Sequence, residues 1–351
     1  MKIFFNIFFF LLLSSFNLSN LLGFSLAETP ILPQDQYEDS PDVIPVESTQ
    51  VAPLLPPEPW FTGPIIAPAG TVVPLGNFEF EAFLFLSTTT GVYNRNWDQI
   101  SSKNNFFSVN PEFYFYLGLT PWADINLVLQ FFYNTVRNQN HVNFGDTTVA
   151  LDLQLLPDDY TPYFPGIKFT LRETFPTGPY QNLNPKKLLT DLNGGGTYAT
   201  GLNLVFYKVF NVFDAHFLTM TLSSLYTISA PFDVKGFNLY GGGRNAKGKV
   251  YPGNQTQIIA SFEYSLSQNI VLSLDNIYTH TNKTSFKGYP GTIEGILSNV
   301  SAPSSESISF CPALEYNFSS NLGINTGCYF SAFGRNSQIF RTFATCLVAT
   351  F

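Results

Sequence analysis

Gln338-Ile339-Phe340-Arg341-Thr342-Phe343-Ala344-Thr345-Cys346-Leu347-Val348-Ala349-Thr350-Phe351, the last fourteen residues of the chain, decide the fold. Successive side chains of a strand point to opposite faces, so Phe343, Thr345, Leu347, Ala349 and Phe351 share one side and mostly small or polar groups take the other. The pattern predicts an alternating strand, and we read it as the one that closes a transmembrane barrel. A soluble sheet strand ending in Phe would show the same local pattern, so the rest of the chain has to discriminate.

At the other end, Met1 and Lys2 precede an apolar run from Ile3 to Leu13, then a polar stretch and Ser25-Leu26-Ala27. A charged start, an apolar core and a small-x-small site predict a secretory signal peptide over residues 1–27. The apolar run is shorter than the roughly 18 to 20 residues of a spanning helix. No later segment offers a helical span, yet 45% of residues are hydrophobic and only 12% charged. Alternating strands are the remaining way to place that much apolar surface. The 37 Phe and 18 Tyr suit strands and the aromatic girdles of membrane barrels.

Charge is segregated. The formal net of −8 includes seven acids and no base between Glu28 and Glu58; without that segment and the leader, 18 acids face 16 bases. This acidic stretch carries Pro30, Pro33, Pro41, Pro45, Pro53, Pro56, Pro57 and Pro59. Proline lacks a backbone donor and favours extended chain, so residues 28–74 are expected to form a disordered periplasmic segment ahead of a barrel over 75–351.

From Asn77 onward, strand, long polar loop, strand and tight turn recur, giving about twelve strands and an all-β, antiparallel transmembrane barrel. In the first, Phe78, Phe80, Ala82, Leu84 and Leu86 oppose Asn77, Glu79, Glu81, Phe83, Phe85 and Ser87. Loops near 176–197, 230–253 and 281–305 are long, whereas Thr120–Ala123, Ser267–Asn269 and Ser319–Asn321 are short, which places the termini in the periplasm. Arg95, Lys103, Arg137, Lys186, Lys187, Lys235, Arg244, Lys247, Lys249, Lys283, Lys287 and Arg335 fall in the expected outer loops, where they would meet anionic lipopolysaccharide. Pro111 and Pro312 fall inside expected strands, which calls for bulges or different strand limits.

Motif by motif, no enzyme is indicated and no cofactor is expected. Gly243-Arg244-Asn245-Ala246-Lys247-Gly248-Lys249 approaches a phosphate-binding loop, but Val250 stands where Ser or Thr would hold magnesium. His141, His216 and His280 are isolated, so no metal site is expected. Cys311, Cys328 and Cys346 lie on the last three strands, the first and last facing inward, and a Cys311 to Cys346 bridge would have to cross the strand between them. On the inner face, Glu79, Glu81, Glu112, Asp124, Asp152, Lys168, Arg172, Glu263, Asp275 and Glu315 are the candidate lumen and selectivity groups. Buried charges must be paired or wetted, so they imply a hydrated pore or a satisfied polar plug. Phe83, Phe85, Tyr114, Tyr116 and Phe132 would stack on an aromatic solute or fill a narrow lumen.

The terminal Phe351 carboxylate resembles the signal by which bacterial outer-membrane barrels are recognised for insertion. Asn143-Phe144-Gly145-Asp146-Thr147-Thr148, Phe175-Pro176-Thr177-Gly178, Gly196-Thr197-Tyr198-Ala199-Thr200-Gly201 and Glu263-Tyr264-Ser265-Leu266 resemble, in order, segments of the outer-membrane barrel family named for the meta-pathway of phenol degradation. That resemblance implies export to a bacterial outer membrane, contact with barrel-insertion machinery and passage of small solutes, with no catalytic residues and no nucleic-acid partner. The leading expectation is a channel for small, hydrophobic or aromatic solutes. A structural or adhesive barrel with a plugged lumen, and then a barrel hydrolase, are the alternatives.

Overall fold

Alternation of this kind leaves a row of unpaired amides at each sheet edge, and closure removes both edges. The computed structural model describes residues 59–158, 163–213 and 215–351. Among them, twelve antiparallel strands form the barrel: β1 (Phe78–Tyr93), β2 (Gln99–Thr120), β3 (Ala123–Val136), β4 (Thr147–Leu156), β5 (Gly166–Phe175), β6 (Ala199–Phe213), β7 (His216–Ser229), β8 (Gln255–Ser265), β9 (Ile270–Thr281), β10 (Ser305–Ser319), β11 (Leu322–Arg335) and β12 (Ser337–Thr350). Each pairs with its neighbours in sequence, and β12 pairs with β1 from Glu79↔Thr350 to Tyr93↔Ser337. At that seam Phe78 N–H donates to the Phe351 carbonyl at 3.1 Å and Phe351 N–H to the Phe78 carbonyl at 2.8 Å, with the two rings stacked. The expected signal peptide and residues 28–58 of the extended segment lie outside the described residues.

The dyad pattern sorts the side chains as expected. Leu117, Leu127, Leu171, Leu202, Leu272 and Phe343 stay exposed on the outside, as a lipid-facing band requires, while Asp124, Asp152, Glu263, Asp275 and Glu315 are buried inside. Cys311 and Cys346 are buried and Cys328 is exposed, all three as free thiols.

Three expectations are corrected. β1 and β2 run on through residues expected as loop, to Tyr93 and from Gln99, so Lys103 sits on a strand. Thr88, Thr89, Val92, Phe106 and Phe107 keep the ladder paired on either side of an irregularity at Thr90 after apolar alternation lapses, because β-branched and aromatic residues suit the pleat.

Pro111 and Pro312 cause neither a bulge nor a strand end. The β2–β3 ladder skips Asn110 and Pro111 with its register unchanged, from Val109↔Tyr133 to Glu112↔Gln130. The bond that Pro111 cannot make would have gone to the Phe131 carbonyl, and the Asn110 side-chain amide donates to that oxygen instead, at 3.0 Å. The β10–β11 ladder skips Cys311 and Pro312 in the same manner.

Finally, disorder does not extend through residue 74. Trp60 to Val73 lie inside the barrel, hydrogen-bonded to its inner wall.

Candidate functional site: an occupied lumen

The inner wall near the tight-turn end carries more carboxylates than bases, and the N-terminal segment answers them with backbone N–H groups. Thr62 N–H donates to Glu315, Ile66 N–H to Asp275 Oδ2 at 2.9 Å, Val72 N–H to Gln154 Oε1 at 3.2 Å and Val73 N–H to Asp124 Oδ2 at 2.7 Å. Its carbonyls are met by amides and a lysine. Asn317 Nδ2 donates to the Trp60 oxygen at 2.8 Å, Asn325 Nδ2 to that of Gly63 at 2.8 Å, and Lys168 Nζ to that of Thr71 at 3.2 Å. An extended, proline-punctuated strip has no strand partner for its backbone, so wall side chains supply one.

Apolar packing fixes the middle of the strip. Ile65 and Ala67 are buried against Ile259, Ile277, Cys311 and Ala344, with Ile66, Phe83, Phe85 and Tyr329 beside them. A fully buried Ile contributes about 1.5–3 kcal/mol. Two glycines leave room for the backbone. A side chain at Gly323 would collide with the Thr62 hydroxyl, and one at Gly118 with the Pro74 carbonyl.

Beyond the strip lies a chamber of about 390 Å³, lined among others by Glu81, Glu112, Tyr114, Tyr116, Lys168 and Arg172. Seven of the ten candidate lumen residues face it: Glu79, Glu81, Glu112, Asp124, Asp152, Lys168 and Arg172. The other three, Glu263, Asp275 and Glu315, are buried elsewhere in the wall, where Asp275 and Glu315 hold the strip.

Within the chamber the polar groups are largely satisfied by neighbours on the wall. Tyr114 donates to Glu112 at 3.2 Å, Thr350 to Glu79 at 2.8 Å and Asn126 to Asp152 at 2.9 Å, while Thr170 also donates to Asp152. Arg172 lies over Gly201, its cross-strand partner, where any side chain would meet it at 2.7 Å. Tyr114 stacks on Tyr116 at 6.2 Å and tilts against Phe83 at 5.2 Å. The surface presented to a solute is thus acidic and aromatic, with two bases set into it.

The opposite end of the chamber is bounded by a knot that joins the quoted motifs. Asp146 accepts from Gly178 N–H at 2.9 Å and from Gly195 N–H at 2.7 Å, and Thr147 N–H donates to Thr177 Oγ1 at 3.0 Å. Burial raises the Asp146 carboxyl above its ordinary value, against the pull of these two N–H groups. Asn134, on the inner face of β3, donates to the Thr190 carbonyl at 3.2 Å and to Asn193 Oδ1 at 2.7 Å. The loop between β5 and β6 therefore dips into the mouth.

The three histidines have separate partners. His141 meets Lys187 Nζ at 3.0 Å, His216 bonds the Ser265 carbonyl at 2.9 Å, and His280 lies 3.5 Å from Glu306. The signals for the strip were present but indirect: the surplus of inward acids, the inward glycines, and the apolar Ile65-Ile66 pair amid prolines. Gln154, Asn317 and Asn325 were not singled out in the sequence, because an amide has no spacing that marks it, and Asp146 was quoted only within a motif, with no role assigned.

No family model matches the chain, and no curated protein matches it in sequence. Among solved structures, an outer membrane channel from Pseudomonas putida F1 superposes with a TM-score of 0.64 at 13% identity, over 82% of this chain and 100% of that one. This likeness is one of fold: the barrel is of the outer-membrane type. The NanC porin (TM-score 0.42, 8% identity, 77% and 98% covered) and a TodX monoaromatic hydrocarbon channel mutant (0.38, 10%, 79% and 91%) overlap only loosely.

Proposed function

We propose that this chain is an outer-membrane channel that passes small, hydrophobic or aromatic solutes, with residues 60–73 as a displaceable occupant of its lumen. The observation that carries the reading is the chamber between the strip and the Asp146 knot, lined by Tyr114 and Tyr116 and by acids that include Glu112 and Glu81 beside them. Aromatic rings offer a stacking surface to an aromatic solute. The acids Glu79, Glu81, Glu112, Asp124 and Asp152, against Lys168 and Arg172, favour neutral or cationic solutes over anions.

The resemblance to the phenol meta-pathway barrels supports the aromatic class. Outer-membrane residence, export through the leader, recognition of Phe351 by insertion machinery and contact with lipopolysaccharide belong to the same proposal. Swelling of liposomes containing the purified protein tests it: neutral aromatic alcohols should enter faster than benzoate-like anions of similar size, and equal rates would contradict the assigned selectivity.

The many hydrogen bonds between wall and strip favour a second reading, a sealed structural barrel. Such a barrel would pass none of these solutes.

A further inference from the structure

Beyond β7, β8 and β9 a second, three-stranded sheet is formed by Phe232–Lys235, Lys247–Tyr251 and Ser285–Tyr289. Its strand order repeats that of the wall, but residues 230–231, 252–254 and 282–284 lie in no strand and the two sheets are paired separately, so the wall's alternation of faces does not carry through; Lys247 pairs with Lys235 on one side and Tyr289 on the other. One face is apolar. Val234, Val250 and Val300 are buried there, with Tyr180, Phe232, Tyr240 and Phe286 packed around them.

The opposite face is basic. Directly paired residues share a face of a sheet, as do residues two apart on one strand. Lys235, Lys247 and Tyr289 therefore form one cross-strand row, and Asp233, Lys249 and Lys287 the next. All six are exposed, giving four positive charges against one negative. Lysines opposed across a ladder repel, which costs stability. Within the chain only Asp233, paired with Lys249, opposes the repulsion: among the described residues none of the four ammonium groups enters an ion pair or a hydrogen bond, and Lys287 alone has a ring, Tyr251, 5.3 Å beneath it. Such a face is stable chiefly when an anion covers it.

We propose that the face bearing Lys235, Lys247, Lys249 and Lys287 binds the phosphate-bearing saccharide headgroups of the lipopolysaccharide around the barrel. Three features select that occupant. The lysines repeat at about 4.8 Å across strands and about 6.8 Å along them, a grid that engages several phosphates at once rather than one small anion. Tyr289 in the same row is exposed and offers a ring on which a sugar stacks. The chamber below is acidic and would repel an anion gathered for transport, so the anion held here is resident. The inference rests on the outer-membrane reading and narrows its lipopolysaccharide contact to one face of one sheet and to the phosphates that face would hold.

The test uses the full chain in detergent and fluorescent lipopolysaccharide of defined, doubly phosphorylated core. Replacement of all four residues (Lys235→Gln, Lys247→Gln, Lys249→Gln, Lys287→Gln) should weaken binding by at least about tenfold, and raising salt should weaken the native protein in the same sense. Replacement of the same four residues by Arg, which keeps the positive charge on this face, should leave binding unchanged. Equal loss in both variants overturns the proposal, and so does inorganic polyphosphate that binds as tightly as the lipid, since the occupant would then be a soluble polyanion. Heat-modifiable electrophoretic mobility confirms that each variant remains a folded barrel. Fractionation of expressing cells on a sucrose gradient tests membrane residence separately, so the failure of either idea is recognised on its own.

Discussion

Asn110→Ala should destabilise the barrel far more in the native background than beside a residue that restores the missing donor at 111. Pro111 leaves the Phe131 carbonyl without its ladder partner inside the barrel wall, and the Asn110 amide fills the gap at 3.0 Å. Removing the amide strands a buried carbonyl, at a cost of about 1–3 kcal/mol. Pro111→Val supplies an N–H in register with Phe131, and its β-branched side chain suits the strand. In that background the same Asn110→Ala change should cost only about 0.5 kcal/mol or less, which gives a coupling energy of roughly 1–2 kcal/mol. The cycle cancels the effect of the Pro111 substitution on the unfolded chain, which a single variant would not. Urea unfolding in phospholipid vesicles, followed by tryptophan fluorescence, measures all four proteins. A cost for Asn110→Ala that is the same in both backgrounds would refute the substitution of side-chain for backbone donor.

Other consequences follow from the occupied lumen. Gly323→Leu places a side chain where the Thr62 hydroxyl lies, so the strip should leave the wall and residues 60–73 should become cleavable by added protease, while the barrel itself resists. Asp275→Ala together with Glu315→Ala removes two carboxylates that accept strip amides; at about 1.5–3 kcal/mol for each charged hydrogen bond, the displaced population should rise by two orders of magnitude or more, read as hydrogen exchange at Thr62 and Ile66. Asp146→Ala takes both oxygens from Gly178 and Gly195, and the loop between β5 and β6 should gain protease sensitivity with little change in barrel unfolding.

Much of the barrel was legible because period-two hydropathy and loop parity are properties of the chain alone. The strand from Ile270 to Thr281, for example, alternates Leu272 and Leu274 with Ser273 and Asp275, and the structure keeps that alternation. The extension of β1 and β2 was not legible: Thr88 to Thr90 and Ser101 to Asn105 read as polar loop, and only the ladders that the end of β1 makes with β2 and with β12 keep this stretch in the sheet. The inward acids were recognisable from parity, but their partner was not. Side-chain patterns reveal nothing about backbone amides of a proline-rich strip more than 200 residues away in sequence, as with Thr62 and Glu315. The Asp146 knot was similarly hidden, since its partners are the main-chain N–H groups of Gly178 and Gly195.

Single-channel recording in planar bilayers tests the central claim most directly, using the full chain beside the same chain lacking residues 60–73. If the lumen is a passage occupied by that strip, the shortened protein should show a larger, steady and cation-selective conductance, and the full chain a smaller or intermittent one. Two silent proteins, or two traces that cannot be distinguished, would contradict a displaceable occupant and leave a barrel closed by its own wall and loops.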